Sequence, residues 1–320
     1  MEVDPKRAAL WYLLSVAFFA AASHLTARLV PHTSVTVIMG LRTFVGSTLL
    51  WLIVLAERKI ALQVFLSKYF WLWTLMFTIT VLFYGVAFTS PSIDDVLIIA
   101  ALMPLAVIAI DYVGDRSTFR RQILPPALLM FAAAALPSAY KLWRGQSELV
   151  LSFATGFAFV AMINHAIWLV LGRSVQKRAG GTSEAARAAV MFTLGWICLG
   201  GLSEFNVIQE LEKGLRGRIF RTNFLHYAED WEYWTLTISG LCSAATVFCV
   251  TRALKRDRPS NVISYHYSLA VWTFFFSLLD PLAPSQQVDT RIVTAITALT
   301  IAAGSYWLYR SRDSGHQGGA

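Results

Sequence analysis

Hydrophobic residues are gathered along the chain into long runs that short polar stretches separate. A bilayer interior about 30 Å thick takes roughly 20 apolar residues of helix to cross, at about 1.5 Å per residue. Each run comes close to this length, so each predicts a transmembrane helix. The ten predicted segments are 8–29, 35–56, 69–89, 93–112, 121–140, 151–172, 187–203, 231–252, 261–280 and 290–309.

The composition agrees with this pattern. Of the 320 residues, 56% are hydrophobic and 14% are charged, and no polar block is long enough to enclose a soluble core. We therefore predict an all-α integral membrane protein in the plasma or inner membrane. The three cysteines all fall inside predicted segments and show no paired metal spacing, so we expect no metal and no cofactor.

Basic residues predict the orientation, because Lys and Arg accumulate in cytoplasmic loops. With the N-terminus inside, 18 of the 27 Lys and Arg residues lie at inner ends, eight lie outside, and Arg42 stays within the second segment. Both termini are therefore predicted to be cytoplasmic. The same distribution explains the net charge of +8 and leaves no basic face for nucleic acid.

The two halves of the chain share a pattern. YGVAFTSPSIDDV at 84–96 and VTRALKRDRPSNV at 250–262 each end one apolar run and begin another, which aligns Asp95 with Asn261. Five segments per half invert the second half relative to the first, and inverted repeats of this kind build transporters. The predicted units are two five-helix repeats and a cytoplasmic tail, at 1–145, 146–312 (with an outer insertion at 204–230) and 313–320.

Two short motifs carry a resemblance to a known family. GLRTF at 40–44 places Arg42 just after the outer start of the second segment, and IIAALMPLAV at 98–107 places Pro104 in the fourth, with Asp115 just beyond. In this the chain resembles the drug/metabolite transporter (DMT) superfamily of the EamA-domain type. The resemblance implies ten transmembrane helices, two repeats and transport of a small metabolite. The second half departs from the pattern, with Ala270 opposite Pro104 and no counterpart of Arg42.

Arg42 is the most unusual residue of the segments. It lies seven residues after the start of its run, or roughly 10 Å into the membrane. Intramembrane charge usually faces protein or a water-filled cavity, so one interpretation is an anchor for an anionic group at the outer mouth of a cavity. The other is structural, with the side chain reaching the interface or pairing with a carbonyl.

The sixth segment offers a polar face beside an indole. Asn164, His165 and Trp168 fall within one helical turn and predict a wall for a substrate, with hydrogen bonds from Asn164 and His165. His165 is also the best candidate for proton coupling. Contacts between helices would explain the same residues equally well.

The ninth segment has two polar stripes on a helical wheel of 100° per residue. We expect the stripe that contains Tyr265, Ser268 and Trp272 to line the cavity, which assigns His266 to a helix contact. Simple packing of the aromatic rings is the alternative.

These features favour a secondary transporter that moves a small amphipathic or anionic metabolite by alternating access. A flippase for a lipid-linked intermediate is the alternative. A membrane enzyme is disfavoured, because the segments contain no nucleophile with a base, paired carboxylates or metal spacing. The expected partners are a small-molecule substrate and the lipid bilayer, and assembly as a homodimer is left open.

Overall fold

The computed structural model of the protein describes residues 4–30, 32–58, 62–87, 99–100, 102–114, 124–145, 153–178, 182–204, 230–279, 293 and 295–307. These residues are helical, with no strand among them. We number the α-helices α1 to α11 in chain order. They are Pro5–Leu29, Val35–Glu57, Lys68–Ala87, Met103–Gly114, Leu124–Trp143, Phe153–Lys177, Glu184–Glu204, Asp230–Arg256, Pro259–Val262, Ser268–Leu279 and 295–307.

The all-α prediction is confirmed, and the apolar helices fit a location in a membrane. Within the described ranges, five helices are long and apolar enough to cross a bilayer. Each of the ten predicted segments overlaps a helix. Asp95, Asp115 and nearly all of the outer insertion lie outside the described residues. The five membrane-length helices are Pro5–Leu29, Val35–Glu57, Lys68–Ala87, Gly156–Lys177 and Asp230–Arg256.

Two helices show how local chemistry sets their starts. Pro125 and Pro126 fall in the first turn of α5, where the missing N–H groups would have no helical partner anyway. Ser183 precedes α7, and its Oγ accepts a hydrogen bond from the N–H of Ala186 at 3.1 Å. This cap begins α7 three residues before the predicted start at 187.

The ninth predicted segment is not one continuous α-helix. After α9 the chain forms a 3₁₀ segment, Ile263–Tyr267, before α10 begins at Ser268. A 3₁₀ helix has three residues per turn, so successive side chains point about 120° apart. The rings of Tyr265, His266 and Tyr267 are all buried. The wheel of 100° per residue used for this stretch was therefore wrong.

The long helices pack in pairs: α1 along α8, α2 along α7 and α3 along α6. The first pair is antiparallel, because Trp11 meets Phe248 with ring centroids 6.5 Å apart, while Thr26 meets Ser239 at 3.1 Å between hydroxyl oxygens. Phe44 meets Trp196 in the second pair, with centroids 5.1 Å apart. The large core that these helices share is apolar.

Glycine allows the closest of these approaches. A Cβ at Gly240 in α8 would lie 2.7 Å from Cβ of Val45 and 2.9 Å from the carbonyl oxygen of Arg42, both in α2. A backbone oxygen cannot give way as a flexible side chain can. Gly240 therefore lets α8 and α2 touch at the level of Arg42.

We predict that Gly240→Ala destabilises the protein by about 1–3 kcal/mol, the usual effect of overpacking. Thermal unfolding in detergent, followed by size-exclusion chromatography, measures the change. Gly201→Ala is the matched control, because Gly201 is exposed in α7 and its added Cβ would meet nothing within 4 Å. Equal unfolding temperatures for the two variants would contradict the close contact.

Candidate functional site

A cavity lies between helices α1, α2, α3, α6, α7 and α8. The cavity volume is about 70 Å³, which is enough for more than one water molecule. Most of its wall is apolar or aromatic. The lining residues used below are Phe19, Arg42, Phe77, Thr80, Tyr84, His165, Trp168, Phe192 and Ser243.

Arg42 is buried in the bundle, with 9% of its surface exposed. Its Nη1 donates a hydrogen bond of 2.9 Å to Oγ1 of Thr26 in α1. The Thr26 hydroxyl donates to the carbonyl oxygen of Ala22 at 2.7 Å and lies 3.1 Å from Oγ of Ser239 in α8. The hydrogen bonds that begin at this guanidinium therefore connect three helices, and the group itself lies beside the cavity.

The charge of Arg42 has no carboxylate partner in the described part of the chain. A buried charge normally needs a counter-charge or several hydrogen bonds to offset its loss of hydration. Thr26 supplies a neutral acceptor to one nitrogen only. Within the described residues the side chain therefore reaches the cavity without a counter-charge, an arrangement that would suit a bound anion.

His165 and Trp168 lie on the cavity wall as the sixth segment suggested. Their ring centroids are 5.5 Å apart, and Trp168 stacks on Trp73 of α3 at 5.6 Å with the planes 6° apart. This stack holds the indole at the cavity. Asn164 is half-buried on the same helix but is not among the residues that line the cavity.

The residues predicted from the ninth segment take other places. Tyr265, Ser268 and Trp272 are not among the lining residues. Ser268 donates its hydroxyl to the carbonyl oxygen of Tyr265 at 2.7 Å, and Trp272 packs edge-on against Phe275 at 6.1 Å between centroids. Their role in substrate binding stays a prediction, because none of the three lines this cavity.

His266 instead comes close to the candidate site. Its ring centroid lies 6.2 Å from that of His165. Its ring also packs against Tyr12 and Phe19 of α1, which agrees with the helix contact expected from the sequence.

Thr80 and Tyr84 of α3 are lining residues that the sequence analysis did not select. They lie one helical turn apart, a spacing that was visible in the sequence and that helix packing explained as well. Phe19, Phe192 and Ser243 gave no such signal, because single aromatic or hydroxyl residues are common throughout the apolar runs.

Several polar atoms of the site are buried without a hydrogen-bond partner among the described residues: Oγ1 of Thr80, Nε1 of Trp168 and Nδ1 of His165. Buried polar groups in proteins are nearly always paired, so these atoms mark where a solute or water molecule can bind. Among the described residues, no group of three or more His, Cys, Asp or Glu side chains suited to a metal ion occurs.

Comparison with known proteins supports the fold. Several solved structures are similar; in one of them, a crystal structure, the TM-score is 0.72 over 94% of this chain and 95% of that one, at 12% sequence identity. At that identity the similarity concerns the fold alone. No family model matches the chain, and no curated protein matches it.

Thr26→Val is expected to destabilise the protein by about 1.5–3 kcal/mol, because it removes the hydrogen bond to a charged group at nearly constant shape. Thermal unfolding of the purified protein measures the change. Thr48→Val serves as the control, since the exposed Thr48 hydroxyl bonds only to the carbonyl oxygen of Phe44 in its own helix. A Thr26→Val protein as stable as the control would show that Arg42 does not depend on this contact.

Proposed function

We propose that the protein is a secondary transporter that moves a small amphipathic anion across the membrane by alternating access. The observation that carries the proposal is Arg42, a buried cation without a described carboxylate partner on the wall of a cavity inside the bundle. A solute that brings one negative charge would complete this site. We therefore assign the cavity to solute binding rather than to catalysis.

The shape of the solute follows from the rest of the wall. Phe19, Phe77 and Phe192 give an apolar surface, and the stacked Trp168 adds an indole whose N–H is unpaired in the described structure. Apolar walls with a few placed polar groups are typical of small-molecule sites. We infer a solute with an acidic group toward Arg42 and an apolar or aromatic body.

The helix pairing supports alternating access. The cavity is formed by α1–α3 from one half of the chain and α6–α8 from the other. Helices α1 and α6 both have 25 residues, and the pair α1–α8 corresponds to the pair α6–α3 if the halves are inverted copies. We therefore propose two five-helix repeats that rock about the cavity, with both termini cytoplasmic.

Membership of the DMT superfamily is part of the proposal. It relies on the resemblance around Arg42 and Pro104 and on the order of the apolar segments. Arg42 also lies on a cavity lined by helices of both halves, and this position supports the proposal. The plasma or inner membrane is the proposed location.

Uptake into proteoliposomes tests the function. A solute panel should contain carboxylates, phosphates and sulfonates, each with and without an aromatic ring, together with neutral and cationic analogues of the same size. We expect entry of at least one aromatic anion and exclusion of its cationic analogue. Transport of lipid between leaflets with no solute uptake would instead establish the flippase.

Arg42→Gln is expected to lower uptake of the transported anion at least about tenfold, the effect of losing roughly 1.4 kcal/mol of binding. Arg42→Lys should retain part of the activity, because it keeps a point charge but not the planar fork. Arg7→Gln is the matched control, since Arg7 is exposed at the start of α1 and pairs with Asp4 at 3.2 Å. Normal uptake by Arg42→Gln would refute the anchor role.

A further inference from the structure

Two histidines from different parts of the chain meet beside the cavity. His165 comes from the middle of α6 and His266 from the 3₁₀ segment between α9 and α10. Their rings are edge to face, with centroids 6.2 Å apart and planes at 85°. Phe19 of α1 packs against both rings, at 6.2 and 6.1 Å between centroids. The contact is thus a three-element junction on the inside of the bundle.

The polar atoms of this junction are not used by the fold. Nδ1 of His165 is buried and has no hydrogen-bond partner within the described ranges. His266 is 7% exposed, and no hydrogen bond joins it to His165. At 6.2 Å between centroids the ring nitrogens are too far apart for a direct hydrogen bond, so a contact between them requires one bridging water.

The surroundings contain few other groups that could take or give a proton. Tyr84 of α3 faces His165 at 6.0 Å between centroids, and Tyr12 of α1 faces His266 at 6.4 Å. On the 3₁₀ segment itself, Tyr265 and Tyr267 flank His266. All are phenols, which stay neutral through the range in which imidazole titrates.

Two charged side chains near this region belong to other helices, α2 and α4. Arg42 of α2 shares the cavity wall with His165, so it opposes a second positive charge until an anion is bound. Asp111 in α4 accepts from the N–H of Ser260 at 3.4 Å, at the start of α9. Among the described titratable groups packed on this junction, the two imidazoles are therefore the ones whose ordinary titration range lies nearest physiological pH.

We propose that His165 and His266 form a proton-binding pair, which holds one proton between the two imidazoles through a bridging water. The inference rests on the proposed transport function for its purpose, since a proton bound beside an anion site couples the two movements. The 3₁₀ segment provides a place where the backbone can change conformation when the pair binds or releases its proton. A short 3₁₀ stretch within a helix often marks a hinge, and a change there separates His266 from His165.

Histidine NMR of the full-length protein in lipid nanodiscs tests the pair without any solute. The ring carbons are labelled, and each signal is followed across the acidic and neutral pH range. His266→Gln is expected to move the protonation midpoint of His165 down by about one pH unit, the size expected for interacting sites, because the proton loses its second acceptor. His165→Gln should do the same to His266.

His32→Gln is the matched control. His32 is half-exposed and lies 3.7 Å from a carboxylate oxygen of Glu232, away from the pair, so its loss should leave both midpoints unchanged. If His165 keeps its midpoint in His266→Gln, and His266 keeps its midpoint in His165→Gln, the shared proton is refuted. Unchanged helix content and elution volume guard against misfolding of a variant.

A vesicle assay tests the coupling. Proteoliposomes are loaded with a pH-sensitive dye, and uptake of benzenesulfonate, which stays ionised, is measured with and without an inward proton gradient. We expect the gradient to raise initial uptake several-fold in the wild type but not in His165→Gln. Uptake that ignores the gradient in both would overturn the coupling. Absence of uptake under every condition, for this and all panel solutes, would overturn the transport function, and the NMR titration would still decide on the pair.

Discussion

The hydrogen bond from Arg42 to Thr26 is the contact on which the architecture of the site depends. It ties α2 to α1, and the same threonine hydroxyl reaches Ser239 of α8. Gly240 lets α8 approach the backbone of α2 beside Arg42. The neutral partner of Arg42, Thr26, comes from α1 and also contacts α8, so the close packing of three helices and the placement of the charge depend on the same contacts.

This arrangement leaves the cavity electrostatically incomplete. Neutral hydroxyls orient a guanidinium but do not cancel its charge, and a carboxylate in their place would have closed the site to anions. An apolar, aromatic wall lowers the local dielectric and strengthens the remaining field. Under the proposed function, binding a solute and stabilising the bundle would be linked, because an anion that enters would supply a counter-charge that the described fold lacks.

Much of the fold could be predicted from the sequence, because apolar runs of membrane length must form helices with their own hydrogen bonds. Arg42, His165 and Trp168 were found for the same reason, as polar or amphipathic groups in an apolar run. The ninth segment shows the limit. Apolar composition does not separate a 3₁₀ turn from an α-helical one, so the pitch of residues 263–267 was missed, and Tyr265, Ser268 and Trp272 are not among the residues that line the cavity. Thr80 was missed because a hydroxyl at helical spacing fits packing and binding equally well.

The two interfaces α1–α8 and α3–α6, which would correspond in an inverted repeat, are built from different materials. The first brings hydroxyls and small residues together around Thr26 and Ser239, whereas the second interlocks the flat rings of Trp73 and Trp168. A smooth contact of small side chains permits sliding, while a pair of stacked indoles resists shear and tolerates rotation about the ring normal. If the halves rock as the proposed alternating access requires, we expect the contact of small side chains to slide and the tryptophan stack to be the point about which they turn.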